Sequence, residues 1–174
     1  MKWRIAALLP ALACAALLGY GYYLQHVQGL EPCPLCLVQR GFFYAILATS
    51  VLAAIHNPAR VGRTVYGALI ALFAAGGLAA AGRQVWLQHL PPERVPACGP
   101  DLFFMLENFG LGRVLQTLVQ GTGECAKVDW TFLGLSIAEW SLGWFAVFVL
   151  YGLWLAASRK HLAYQKQRRP AFRG

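Results

Sequence analysis

Charged residues are scarce in this sequence, and their scarcity excludes an ordinary soluble protein. They make up 13% of the 174 residues, whereas hydrophobic residues make up 58%, and the mean hydropathy is +0.50. A soluble domain of this length has too little interior to bury so much apolar surface. The composition therefore indicates a protein whose solvent is a membrane, and the length allows one compact domain.

Acidic residues are missing from three segments: the N-terminal tip, residues 56–64 and the tail from residue 158 onward. Ten of the fifteen Lys and Arg residues lie in these same segments, and all seven acids lie in or beside the remaining loops. Lys and Arg are enriched in the cytoplasmic loops of membrane proteins. The net charge of +8 is therefore attributed to the orientation of the chain in the membrane, with both termini cytoplasmic. No nucleic-acid partner is predicted.

Long apolar runs occur four times, and each suits a transmembrane helix. The first, residues 5–23, spans about 28 Å at ~1.5 Å per residue, close to the ~30 Å of a bilayer core. It is long for the apolar part of a signal peptide and lacks an A-x-A cleavage site before polar sequence. The sequence predicts an all-α integral membrane four-helix bundle, a single domain over 1–174 with spans at about 5–23, 37–55, 65–81 and 140–157.

Four spans with cytoplasmic termini place the two remaining loops, about 24–36 and 82–139, together on the outer side of the membrane. The second of these loops is long. A short amphipathic helix on the membrane surface is predicted within it from the helical spacing of four apolar residues, Leu111, Val114, Leu115 and Leu118.

Cysteine is also rare, and five residues are too few for a disulfide scaffold. Four of them form two pairs on the predicted outer side, Cys33 with Cys36 and Cys98 with Cys125. Paired thiols that face an oxidising compartment are candidates for disulfides. The fifth, Cys14, lies inside the first span and is interpreted as a small packing residue.

The stretch Cys33-Pro34-Leu35-Cys36 lies where a polar loop gives way to the second span. Pro34 suits the first turn of a helix, which places Cys33 near the N-cap, where the backbone dipole favours a thiolate. Arg40 lies one turn beyond Cys36 on the same helix face. A bridge across two intervening residues restrains little chain, so this dithiol beside a permanent cation is interpreted as a redox pair.

Two other interpretations of the cysteines stay open on spacing alone. The Cys33–Cys36 pair is also half of a zinc site, which Cys98 and Cys125 would complete. Structural zinc usually takes its ligands in tight pairs, and twenty-seven positions separate these two. A structural bridge between Cys98 and Cys125 that staples a long loop is the other alternative.

A charged residue close to the apolar core of a membrane often has a function, so Arg40 is a candidate site residue. It would stabilise a thiolate at Cys36 or a developing anion on an acceptor dissolved in the membrane. The alternative is an interfacial arginine that snorkels toward water. His26 and His89 both lie at outer membrane edges, where their positions alone indicate interfacial polar residues.

Several stretches across the chain together resemble the DsbB family, the disulfide-bond formation proteins of the bacterial inner membrane. The resemblance covers nearly the whole chain, and its most specific part runs from Cys125 to Gly143. The matching stretches are Gln25-His26-Val27, Pro32-Cys33-Pro34-Leu35-Cys36 with Arg40, Gly82-Arg83-Gln84 with His89, Cys98, Gly123-Glu124-Cys125-Ala126, Trp130-x-Phe132-Leu133-Gly134-Leu135 and Trp140-x-Leu142-Gly143.

This resemblance implies a multi-pass inner-membrane enzyme that re-oxidises a DsbA-like periplasmic protein and passes the electrons to a quinone, either ubiquinone or menaquinone. Cys33 and Cys36 would form the disulfide that quinone re-oxidises. Cys98 and Cys125 would form the periplasmic disulfide that accepts electrons from DsbA, with Cys98 in the mixed disulfide. Arg40 would lie beside the quinone, and His89 matches a position linked to the same site.

Two residues depart from the family pattern, and two other protein classes share part of it. Gln39 stands where an acidic residue often precedes the arginine, and Pro34 lies between the paired cysteines; both bear on the rate and the redox potential.

A vitamin K epoxide reductase-like enzyme is also four-helical with a C-x-x-C pair. In that family, however, the cysteine pair of the loop comes before the C-x-x-C pair in the chain. A metal-binding membrane protein would use all four outer cysteines as ligands.

Overall fold

Long helices dominate the computed structural model, which describes residues 2–96, 112 and 121–167. Within this part of the chain, four helices are long and apolar enough to cross a membrane. This architecture confirms the predicted all-α membrane bundle. The helices are α1 (Lys2–Val27), α2 (Pro34–His56), α3 (Arg60–Gln88) and α4 (Ile137–Gln167).

Two predicted features of the loop between α3 and α4 lie outside the described residues. They are Cys98 and, apart from Gly112, the amphipathic helix around Leu111 to Leu118. The parts of this loop next to α3 and α4 are described, and each contains a short 3₁₀ turn, Pro92–Arg94 and Gly123–Ala126.

The start of α2 follows from its sequence. Cys33 is the N-cap residue, Pro34 occupies the first turn, and the backbone N–H of Cys36 donates to Cys33 Sγ at 3.4 Å. A sulfur thus takes the place of the usual N-cap oxygen. The helix ends at His56 and is capped by Asn57, a residue type that tolerates the left-handed backbone found there (φ 39°).

A short hairpin precedes α4 and is an addition to the predicted all-helical chain. Strand β1 (Thr131–Phe132) pairs antiparallel with β2 (Leu135–Ser136). Leu133 and Gly134 between them both have positive φ, 54° and 80°, as a tight two-residue hairpin turn requires.

A capping box fixes the start of α4 directly after this hairpin. The backbone N–H of Ser136 donates to Glu139 Oε2 at 2.7 Å, and the backbone N–H of Glu139 donates to Ser136 Oγ at 3.3 Å. This reciprocal arrangement satisfies two of the free N–H groups at a helix start. The helix therefore begins at Ile137, ahead of the apolar run that begins near residue 140.

Apolar side chains cover the outside of the bundle as well as its core. Inside, the rings of Phe43 and Phe145 stack at 4.2 Å between centroids. On the outer surface, Leu12, Val61 and Leu72 are 67%, 78% and 65% exposed. Such exposure is costly in water but is the expected surface of helices that face lipid.

A close helix crossing joins α3 to α4 through two glycines. A Cβ on Gly152 would lie 2.7 Å from the backbone nitrogen of Ala71 and 2.8 Å from the carbonyl oxygen of Gly67. A Cβ on Gly67 would in turn lie 2.8 Å from the backbone nitrogen of Ala156. Small residues of this kind let membrane helices pack backbone to backbone.

We expect Gly152→Ala to destabilise the bundle although alanine is the better helix former. Its new methyl group has no room at the crossing, and overpacking typically costs about 1–3 kcal/mol. Gly143→Ala on the same helix is the matched control, because a Cβ there meets nothing within 4 Å. Thermal unfolding in detergent is the measurement. Equal midpoints for the two variants would contradict the close crossing.

Helices α1 and α4 leave an opening between them. Helix α1 packs on α2, α2 on α3 and α3 on α4. Long side chains bridge the remaining side: the Tyr151 hydroxyl donates to the carbonyl of Ala6 at 2.8 Å, and the Tyr20 ring meets Trp130 edge-on. The opening lies at the end of the bundle where α2 begins.

Candidate active site

Three cysteine sulfurs lie together at the start of α2. Cys33 and Cys36 are free thiols in this structure, with 2.9 Å between their sulfur atoms. Cys125 lies in the Gly123–Ala126 turn, is fully buried and packs against Cys33. The structure thus brings together the cysteines of two predicted pairs, while Cys98 lies outside the described residues.

The segment that carries Cys125 reaches α2 and α3 because of Gly121. This residue has φ 75°, and a Cβ there would lie 2.6 Å from a methyl carbon of Leu87 and 2.9 Å from one of Leu35. Only glycine combines this backbone region with so close an approach. The close approach seats Cys125 in a small apolar cluster with Leu35, Leu87 and Cys33.

Hydrogen bonding shifts the pKa values of Cys33 and Cys125 in opposite directions. The Cys33 thiol donates to Cys125, which outweighs the opposing effect of burial and lowers the pKa of Cys125 to about 6; backbone groups of Leu35 and Thr122 add to the shift. The same bond, then the bond to Cys36 and burial, raises the pKa of Cys33. The bond from Cys33 therefore favours the thiolate form of Cys125 over that of Cys33.

Arg40 lies beside the cysteines and is tied to α1. Its guanidinium donates to Gln25 Oε1 at 2.5 Å and to the carbonyl of Gly21 at 3.1 Å, and its central carbon lies 4.9 Å from the centre of the Tyr22 ring. These contacts hold a permanent positive charge in a fixed position. Gln25 is a partner that the sequence placed in the family pattern without a role.

Two adjoining cavities connect this charge to the opening between α1 and α4. The smaller, about 110 Å³, is lined by Cys36, Arg40 and Gln39 among others. The larger, about 400 Å³, is named here the α1–α4 cavity and has a mostly aromatic and aliphatic lining. The two share part of their walls, namely Leu17, Gly21, Leu24, Phe43, Ile137 and Ser141.

Aromatic rings form the outer wall of the α1–α4 cavity. Trp130 stacks on Phe132 at 6.0 Å, and Phe132 lies 6.1 Å from Trp140. The Trp140 indole N–H donates to the carbonyl of Phe132 at 3.1 Å and so ties the hairpin to α4. All three line the cavity together with Tyr20 and Trp144.

Two buried glutamines next to the sulfurs were not predicted from the sequence as site residues. Gln84 of α3 has its side-chain nitrogen 3.4 Å from Cys33 Sγ and 3.3 Å from Cys36 Sγ. The Gln39 amide donates to Gln84 Oε1 at 2.6 Å. The available signal was that both are uncharged polar residues within otherwise apolar helical segments.

His89 lies apart from the residues that line the two cavities. It caps the end of α3, is exposed, and its Nδ1 lies 2.8 Å from the carbonyl oxygen of Val85. It lines neither the cavity at Arg40 nor the α1–α4 cavity. Its link to the site stays a prediction.

Comparison with known proteins identifies the family. The family model for disulfide bond formation protein DsbB matches residues 3–155. The chain belongs to the DsbB family. Proteins called Disulfide bond formation protein B are 49% identical in Marinobacter nauticus, over 87% of this chain and 90% of the relative, and 52% identical in Methylococcus capsulatus, over 80% and 85%. A third, from Azoarcus sp., is 48% identical over 84% and 88%.

DsbB membership confirms the resemblance that the sequence showed. It supports a multi-pass membrane protein of disulfide bond formation with an oxidoreductase role. The vitamin K epoxide reductase-like and metal-binding alternatives are not favoured by this result. The cysteine cluster described above is the part of this DsbB-family chain whose chemistry fits such a role.

Proposed function

We propose that this chain is a thiol:quinone oxidoreductase. It re-oxidises a DsbA-like periplasmic protein through its cysteines and delivers the electrons to ubiquinone or menaquinone in the membrane. The catalytic residues in this proposal are Cys33, Cys36, Cys98 and Cys125, and Arg40 is the quinone-binding residue. The family supplies the role in disulfide formation; the acceptor and the partner are inferred from the chemistry of the site.

The observation that carries the proposal is that Cys36 and Arg40 line one cavity that adjoins a larger apolar cavity. A quinone is a lipid-soluble acceptor of two electrons, and its site needs an apolar enclosure, a route from the bilayer and a group that stabilises negative charge. At about 400 Å³ the α1–α4 cavity is within the usual size of small-molecule sites, about 300–1,000 Å³. Arg40 supplies the fixed positive charge.

The packing contact between Cys125 and Cys33 supports a route for exchange between the two cysteine pairs. A Cys125 thiolate attacks Cys33 of a Cys33–Cys36 disulfide; a Cys33–Cys125 bond forms, and Cys36 leaves as a thiolate. No electrons are lost or gained in this exchange. The departing sulfur is the one that faces the cavity beside Arg40, so charge arrives where a cation is already held.

Electron donation from a DsbA-like partner requires an acceptor of high reduction potential. DsbA is a strong oxidant at about −120 mV, so an acceptor that keeps it oxidised needs a higher potential than ordinary protein thiols provide. In each cycle the partner's two thiols become a disulfide, and the two electrons and two protons end on the quinone. Cys98, in the loop on the same predicted side, is the proposed contact with the partner.

Location is part of the proposal. The basic N-terminal tip, residues 56–64 and the basic tail favour a cytoplasmic position for these segments in a bacterial inner membrane. The end of the bundle that carries Cys33 and Cys125 then faces the periplasm.

Purified protein in detergent tests this function directly. We expect it to reduce a short-chain quinone when it is mixed with a reduced DsbA-like protein, with one quinone consumed for each pair of partner thiols lost. The quinone is followed by its ultraviolet absorbance and the thiols by alkylation. Omitting the membrane protein is the control. Partner oxidation without matching loss of quinone would contradict the proposed acceptor.

A further inference from the structure

Two buried amides lie behind the C-x-x-C pair, and no step proposed above uses them. Gln84 of α3 is 4% exposed and Gln39 of α2 is 3% exposed. A buried primary amide has two N–H donors and a carbonyl to satisfy, and leaving them without partners costs free energy. Their partners in this bundle therefore indicate what they do.

Gln84 contacts both sulfurs of the pair. Its Nε2 donates to Cys33 Sγ at 3.4 Å and to Cys36 Sγ at 3.3 Å, distances suited to the larger sulfur atom. Its Oε1 lies 3.6 Å from Cys36 Sγ, where it accepts from a thiol. One side chain thus serves both protonation states of Cys36, and the N–H contacts become strongest when a sulfur is negatively charged.

Gln39 determines which end of the Gln84 amide faces the sulfurs. Its Nε2 donates to Gln84 Oε1 at 2.6 Å, which engages the carbonyl end of that amide. The Gln84 NH₂ group is then left to point at Cys33 and Cys36. An acidic side chain at residue 39 has no such donor when ionised, so it would favour the opposite orientation of Gln84.

We propose that Gln84 is a positioning residue for the Cys33–Cys36 couple, and that Gln39 acts through it by fixing its orientation. Gln84 holds the two sulfurs side by side and stabilises their reduced form by donating hydrogen bonds to it. When the couple gives up two electrons and two protons and the S–S bond forms, these bonds weaken because disulfide sulfur is a poor acceptor. The inference rests on the proposed function in that it takes Cys33 and Cys36 as the redox couple.

Equilibration with glutathione measures this effect on a chain in which Cys98 and Cys125 are serine, so that the remaining pair is Cys33 and Cys36. We expect Gln84→Met to shift the half-oxidation point about tenfold in glutathione ratio toward more reducing mixtures. This is the size expected when a hydrogen bond to a charged group is lost. Trapping with an alkylating reagent reports the oxidised fraction.

Gln88→Met is the matched control for this substitution. Gln88 lies one turn beyond Gln84 on α3, and both line a third cavity of about 60 Å³ beside Cys33 and Cys36. The Gln88 Oε1, however, accepts from the Ser136 hydroxyl at 2.8 Å. It has the same chemistry, and among the described residues its hydrogen-bond partner is Ser136 and not a sulfur. We expect the Gln88 variant to keep the half-oxidation point within about twofold of the parent chain. An equal shift in both variants would overturn the proposal.

Combining the two glutamine substitutions tests the role of Gln39. We expect Gln39→Met alone to shift the half-oxidation point in the same direction, and the double variant to shift no further than Gln84→Met, because both act on one contact. Fully additive shifts would overturn the orienting role of Gln39.

If Gln84→Met does not fold, Gln84→Asn replaces it. This variant keeps the amide but is one methylene too short to reach the sulfurs.

Failure of this inference is distinguishable from failure of the proposed function. The glutathione equilibrium needs neither quinone nor a DsbA-like partner. Normal quinone reduction without a shift in Gln84→Met would overturn the role of Gln84 alone. A tenfold shift in a protein that reduces no quinone would overturn the function and leave the role of Gln84 in place.

Discussion

Cys33→Ser is expected to reduce quinone-dependent oxidation of the partner by at least about a thousandfold, as loss of a nucleophile commonly does. Among the described cysteines, Cys33 is the one that contacts both Cys36 and Cys125. Serine in its place removes the sulfur through which the two pairs exchange. It also leaves Cys36 without its partner in the Cys33–Cys36 disulfide.

Two other cysteine variants show whether that loss is specific. Cys14→Ala should retain turnover, because Cys14 is buried in the core of the bundle with Phe43 and Phe145, apart from the sulfur cluster. Cys125→Ser should lose multiple turnovers but still allow a chemically reduced Cys33–Cys36 pair to reduce one equivalent of quinone. Quinone loss in a single-turnover mixture measures this difference. Multiple turnovers by Cys33→Ser would exclude Cys33 from the relay.

The helices could be predicted from the sequence because each depends on a local signal. Long apolar runs give the four spans, and Pro34 gives the start of α2. The third apolar run ends near residue 81, and the sequence allows the helix to continue through Arg83 to Leu87. In the structure the helix reaches Gln88, with Gln84 facing sulfur and Gln88 facing Ser136. Ser136 and Glu139 have the three-residue spacing of a capping box, which is a local signal for the start of α4.

Contacts in the site were less predictable because they join distant parts of the chain. The four-residue spacing of Cys36 and Arg40 correctly placed both on one helix face, and they line one cavity. The approach of Cys125 to Cys33 depends on Gly121 fitting against Leu35 and Leu87, which no local pattern encodes. Gln84 reaches the sulfurs only because of the rotation of α3 against α2. The spacing of apolar residues predicts which face of a helix is buried. It does not predict which residue of another helix each polar side chain contacts.

Arg40→Met is expected to slow quinone reduction by about a hundredfold to a thousandfold, the usual cost of removing one group that stabilises developing negative charge. Methionine keeps much of the apolar stem and removes the charge. Transfer of electrons from the partner to the cysteines should change little, because the Cys33–Cys125 contact does not involve Arg40. Stopped-flow mixing separates the two steps: loss of partner thiols in the absence of quinone, and quinone loss after reduction of the chain.

Charge and geometry contribute separately to this effect, and Arg40→Lys distinguishes them. Lysine keeps the positive charge but lacks the fork that engages Gln25 and the Gly21 carbonyl together, so we expect a rate between those of the parent chain and Arg40→Met. Arg83→Met is the control for losing a cation, because Arg83 stacks over Trp86 at 4.2 Å and lines neither cavity. If Arg40→Met slowed partner oxidation and quinone reduction equally, Arg40 would support the cysteine cluster as a whole. A selective loss of the quinone step, with unchanged thermal unfolding, would place its charge at the acceptor.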